Sequence, residues 1–88
     1  MVETQPLLQF PTDYPIKVVG RPAGDFRARV DAVVLRHVPG LDPGKVTERL
    51  SENGNFLSIS YPVVAESSEQ VVALVNDLKA CEGVLTIL

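Results

Sequence analysis

From Leu57 to Tyr61 apolar and polar positions alternate with a period of two: Leu57, Ile59 and Tyr61 fall on one side, Ser58 and Ser60 on the other. That is the pattern of a strand with one face in a core. Val63 extends the apolar set and Phe56 joins the serines. Immediately upstream, Asn53-Gly54 predicts a two-residue hairpin turn whose central residues both take positive φ. Lys45 to Ser51 alternates as well, with Val46, Glu48 and Leu50 against Thr47, Arg49 and Ser51, and the charge among the apolar positions marks an edge strand. Pro62 belongs beyond the end of a neighbouring strand or at a bulge, because a central proline forfeits a ladder hydrogen bond.

Elsewhere the period changes. Ile16-Lys17-Val18-Val19 reads as a short strand opened by Pro15 and closed by Gly20. After the loop Gly20-Arg21-Pro22-Ala23-Gly24, Asp25 is a first-turn anion or cap for a helix running to about Val38, with Phe26, Val30, Val33, Val34 and His37 at helical spacing. Its valines lower its intrinsic propensity, so packing must hold it. Pro39-Gly40 ends it. Ser67-Ser68-Glu69-Gln70 fits a capping box in which Ser67 accepts from the Gln70 backbone and the Gln70 side chain reaches back to Ser67. Val71, Leu74, Val75 and Leu78 continue the stripe of that second helix, which ends near Cys81 to Gly83. Val84 to Leu88 is a last strand, apolar on both faces.

The order β, α, β, β, α, β with a central hairpin predicts an α+β, ferredoxin-like sandwich. Right-handed crossovers place both helices on one face of a four-stranded antiparallel sheet of strand order 4-1-3-2. Residues 13–88 form this single domain. Residues 1–12 form an extended N-terminal arm, whose Leu7, Leu8 and Phe10 lie across the body or against a second copy. The sheet face without helices would present Val19, Phe56, Ser58 and Ser60, with either Leu85 or Ile87, and is the candidate interaction face.

Charge and composition narrow the partners. The 88 residues carry a net charge of −3 and a single cysteine. The acidic balance argues against a nucleic-acid backbone or an anionic membrane as partner. A lone Cys81 forms no internal disulfide, and no leader or membrane-spanning run is visible, so the chain reads as cytoplasmic.

Phe10-Pro11, Lys17-Val18-Val19-Gly20, Arg36-His37-Val38-Pro39-Gly40, Ser51, Gly54-Asn55-Phe56, Ser58-Ile59-Ser60 and Glu69-Gln70-Val71 together resemble the YbeD-like family of small bacterial proteins of unknown function. The resemblance runs from about Leu8 to Leu88. It implies a ferredoxin-like fold similar to the ACT regulatory domains, which bind amino acids and pair through their sheets. It supplies no catalytic residue, and it implies a role near lipoate metabolism through the genomic company that some relatives keep.

No catalytic constellation emerges from the residues, and no cofactor or metal ligand set. Gly20, Arg21 and Gly24 form a candidate ligand loop, comparable with the phosphate loop of acylphosphatases, in which Arg21 or Arg27 would clamp an acyl phosphate. Pro22 and Asp25 oppose that reading by removing a donor and adding a negative charge. His37 lacks a second histidine or an acid at ligand spacing. Cys81 has no activating neighbour in sequence. The leading expectation is a non-enzymatic regulatory or adaptor module that works through the bare sheet face, as a homodimer or on a partner protein. An ACT-like sensor of a small molecule, with a pocket at a dimer junction near the Gly20 to Gly24 loop, is the alternative.

Overall fold

In the computed structural model, residues 9–88 are described. The chain runs β1 (Thr12–Asp13), β2 (Ile16–Gly20), α1 (Phe26–His37), β3 (Thr47–Leu50), β4 (Leu57–Tyr61), β5 (Val64–Ala65), α2 (Ser68–Ala80) and β6 (Val84–Ile87), with a 3-10 turn at Pro43–Lys45. The sheet order is β3-β4-β2-β6, with every pair antiparallel. It is the ferredoxin-like arrangement, and the strand that follows the hairpin lies inside the sheet beside β2.

The period-two reading of β4 holds: Leu57, Ile59 and Tyr61 are buried. Opposite them, Ile16 and Val18 of β2 are buried too, and α1 lays Phe26, Val30 and Val34 over them while α2 adds Leu74 and Leu78. Each such side chain contributes about 1.5–3 kcal/mol by leaving water. This offsets the valine-rich composition of α1.

Several local expectations are corrected. Asp25 stands at the N-cap position of α1 with φ −97° and ψ 25° and makes no side-chain cap; its carboxylate instead accepts from Arg29 Nε at 2.8 Å. The hairpin is not a two-residue turn, for no residue other than glycine has positive φ among the described residues, and Gly54 alone takes φ 77° there. Ser51 N donates to Phe56 O at 2.8 Å and Ser51 Oγ accepts from Phe56 N at 3.0 Å, so Glu52 to Asn55 form a longer loop closed by a serine hydroxyl. The preceding strand starts later than Lys45, because Asp42 accepts from Gly44 N at 2.9 Å and winds Pro43–Lys45 into the 3-10 turn.

Ser67 caps α2 as expected, accepting from Gln70 N at 3.1 Å. The Gln70 side chain, however, passes Ser67: Oε1 accepts from Glu66 N at 2.6 Å, and Nε2 donates to His37 O at 2.8 Å. One amide thus closes the start of α2 and the end of α1 together. Thr12, expected in the arm, already belongs to the body, since it pairs with Ala65 in a small second ribbon formed by β1 and β5. Pro62 falls just past β4, between it and β5. The expected placement of Leu7 and Leu8 concerns residues outside those described.

Candidate interaction face

Register determines which residues share the helix-free side. Thr47 pairs with Ser60, and Ser60 with Lys17; Arg49 pairs with Ser58, Ser58 with Val19, and Val19 with Thr86. Because Glu48, Ile59 and Val18 point to the helices, these alternates point away from them. Lys17 also exchanges two backbone hydrogen bonds with Leu88, of 3.0 and 2.8 Å, which adds Leu88 to the row of Thr47, Ser60 and Lys17. The face is therefore a set of cross-strand rows, Thr47-Ser60-Lys17-Leu88 and Arg49-Ser58-Val19-Thr86, with Phe56 and Arg21 beyond.

Those last two meet. The Arg21 guanidinium carbon lies 5.8 Å from the centroid of the Phe56 ring, within cation–π range. Phe56 remains 41% exposed, so the ring that carries the cation still offers surface to a partner. Arg21 follows Gly20, the last residue of β2, where a Cβ would stand 2.3 Å from Phe26 Cζ and 2.5 Å from Gly83 O. Only glycine brings β2 so close to the ring and to the end of α2.

Val19, Phe56, Ser58 and Ser60 thus share the face as expected. Ile87 does not. It stands opposite Val18 and packs against the core. The register slips between Val19 and Gly20, so that Val84 pairs with Gly20 and Leu85 is left without a Cα partner. This bulge makes two successive residues, Leu85 and Thr86, exposed, and strict alternation could not have placed them.

The Gly20–Gly24 loop spends its amides internally: Arg21 N donates to Gly83 O at 3.1 Å, Ala23 N to Arg21 O at 2.9 Å and Phe26 N to Ala23 O at 3.0 Å. Gly24 takes φ 53°. Arg27 does not face the loop; it joins Asp31 at 2.8 Å and also Glu48 on β3. Asp31 in turn accepts from the Tyr61 hydroxyl at 2.5 Å. Burial, with the Asp31 hydrogen bond and charge behind it, pushes the Tyr61 phenol well above its ordinary range.

Two partnerships invisible in the sequence join α1 to α2. His37 Nε2 lies 2.6 Å from Asp77 Oδ2, with Arg36 on the same oxygen at 3.4 Å. Arg29 Nη1 donates to Glu82 O at 2.8 Å and stands 4.0 Å from Cys81 Sγ. A cavity of about 520 Å3 opens at the end of α1, lined by Asp13, Val38, Pro39, Leu41, Pro62 and Gln70 among others. A second, of about 330 Å3, lies between α2 and β6 near Tyr14, Val75 and Ile87. Neither reaches the Gly20–Gly24 loop. Among the described residues no cluster of His, Cys, Asp and Glu could hold a metal ion, and no helix is long and apolar enough to cross a membrane.

Comparison with known proteins adds two findings. A family model described as "Protein of unknown function (DUF493)" matches residues 5–88. Bacterial relatives, each called only a UPF0250 protein, include one from Hahella chejuensis, 37% identical over 94% of this chain and 91% of its own length. Another, from Ectopseudomonas mendocina, is 43% identical over 85% and 83%. Among solved structures, the ACT domain from GTP pyrophosphokinase of Chlorobium tepidum superposes with a TM-score of 0.64 at 16% identity, covering 88% of this chain and 97% of that one. The C-terminal domain of the MgtC protein from Mycobacterium tuberculosis also gives 0.64, at 17% identity, covering 93% and 89%. These likenesses concern the fold.

Proposed function

The chain belongs to the DUF493 family of proteins of unknown function, the YbeD-like proteins, so its role has to be read from its own surfaces, and we propose that it is a non-enzymatic regulatory or adaptor module acting through the helix-free sheet face. The observation that carries this reading is the half-exposed Phe56 ring held under Arg21 beside rows of hydroxyl side chains. A partly exposed aromatic anchor, set on a rigid sheet, suits recognition of a macromolecule. The ACT-like fold agrees with a regulatory role, although folds host many functions. The reading extends to a cytoplasmic setting.

Affinity capture from the native cell tests it, with wild type beside Ser58→Trp, which fills the middle of the face. A reproducible partner or a second copy should be retained by wild type and lost by the variant. A protein that stays monomeric at high concentration and captures nothing reproducible would refute the reading.

The cavity at the end of α1 favours a second reading, an ACT-like sensor of a small molecule. It would lie at that cavity rather than at the Gly20–Gly24 loop. Thermal shift against amino acids and lipoate-pathway metabolites should then show at least one stabilising ligand, and a flat response across both sets counts against it.

A further inference from the structure

The acidic total conceals a separation of charge. The chain holds 8 Lys and Arg against 11 Asp and Glu. The three arginines of α1 are neutralised locally, Arg27 by Asp31 and Glu48, Arg29 by Asp25 and Arg36 by Asp77, while Lys45 and Lys79 stand singly elsewhere among the described residues. On the bare face the register places Lys17 and Arg49, with Arg21 at its end over Phe56. None of these three forms an ion pair among the described residues. No Asp or Glu shares their rows. Glu48, next to Arg49 in sequence, lies on the helix side paired with Arg27, and Glu52 sits in the hairpin loop beyond Ser51.

Strand spacing and rise put the Cα atoms of Lys17, Arg21 and Arg49 at the corners of a triangle with sides of about 12 Å. Ser58 lies between them, and Ser60, Thr47 and Thr86 border them in the same rows, groups that both donate and accept. We propose that this face is a docking surface for an acidic protein surface, an inference that rests on the adaptor reading and specifies the partner's chemistry. Carboxylates on the partner meet Lys17, Arg21 and Arg49, and an apolar or aromatic group covers the exposed part of Phe56.

Other occupants fit less well. A second copy docked face to face would set three side-chain cations against three with no Asp or Glu in the rows between them, which is repulsive. Nucleic acid presents a phosphate about every 3.4 Å along each strand; three cations borne on Cα atoms about 12 Å apart do not track it, and one aromatic makes a short stacking platform on a molecule whose remaining surface is anionic.

The test uses three defined probes on the isotope-labelled full chain: an alternating Glu-Ser peptide, the matched Lys-Ser peptide and oligouridylate. The Glu-Ser peptide should shift the amides of Val19, Ser58, Ser60 and Thr86, and its dissociation constant should rise about tenfold between about 50 and 300 mM NaCl. Combined Lys17→Glu, Arg21→Glu and Arg49→Glu substitutions should abolish the shifts. Reversing Lys45 and Lys79 to Glu should leave them in place. Shifts centred on Lys45 or Lys79, no response to the Glu-Ser peptide, or tighter binding of oligouridylate would overturn the proposal. Native capture separates the two levels: a partner lost by Ser58→Trp but kept by the triple reversal removes the charge inference and leaves the adaptor reading. A partner kept by both variants removes both.

Discussion

His37 Nε2 stands 2.6 Å from Asp77 Oδ2 and so ties the last turn of α1 to the last turn of α2. The His37 hydrogen bond, assisted by Arg36, holds the Asp77 carboxyl below the usual carboxylate range. A carboxylate lowered on folding stabilises the native state above its unfolded pKa, about 4, and that contribution is lost as pH falls through the lowered value. Asp77→Asn should therefore melt below wild type at neutral pH, and the gap should close below about pH 4. Melting followed by circular dichroism from about pH 2.5 to 7 checks this; a gap of constant width would exclude the ion pair as its source.

Gly20 and Gly24 predict losses of different origin. Ala at 20 meets the Phe26 ring and the Gly83 carbonyl, and a backbone oxygen yields little, so Gly20→Ala should cost about 3 kcal/mol. At Gly24 no atom lies within 4 Å, but φ is 53°, and Gly24→Ala should cost about 1 kcal/mol. Urea unfolding measures both, and Phe26→Leu combined with Gly20→Ala should recover only part of the loss, because the carbonyl contact remains.

Tyr61 carries a buried hydroxyl that donates to Asp31. Tyr61→Phe should cost about 2 kcal/mol, the scale of a hydrogen bond to a charged group. A phenol whose pKa is raised on folding stabilises below the unfolded value, about 10, and the benefit fades as pH climbs through the folded one. Wild type should thus lose stability above about pH 10 more steeply than Tyr61→Phe. Equal slopes in urea titrations at neutral and alkaline pH would contradict the assignment.

Gln70 offers a test of capping logic. In an ordinary capping box Glu serves as well as Gln. Here the amide nitrogen donates to His37 O, which a carboxylate cannot do, so Gln70→Glu should destabilise by about 1 kcal/mol despite its favourable place at a helix N-terminus. Ser67→Ala should cost a similar amount, about 1 kcal/mol. Hydrogen exchange should show faster opening at Val38 in the Gln70 variant and not in the Ser67 one.

Element order and the two faces of β4 were legible because both rest on local periodicity, which burial enforces residue by residue. The hairpin was not: Asn53-Gly54 permits positive φ at both positions, and the Ser51 hydroxyl selected a longer loop instead. Ile87 was misplaced because Leu85 breaks the alternation on which its facing depends. The pairing of Arg21 with Phe56 arises from strands distant in sequence, and a net charge has no direction, so the cationic face could not be seen in the totals that argued against anionic partners. The ribbon of β1 and β5 is too short to show a period.

The bulge in β6 also bears on strand addition at the open edges of the sheet. A sheet with two open edges is a template for uncontrolled strand addition. On β3 the guard is chemical, since Glu48 and Arg49 deter an incoming strand. From Val84 to Leu88 there is no charged side chain, and what interrupts that edge is shape: the unpaired Leu85 spoils the even spacing of outward donors and acceptors. Removing that one residue would restore a flat margin without charged side chains, and with it a template for strand addition.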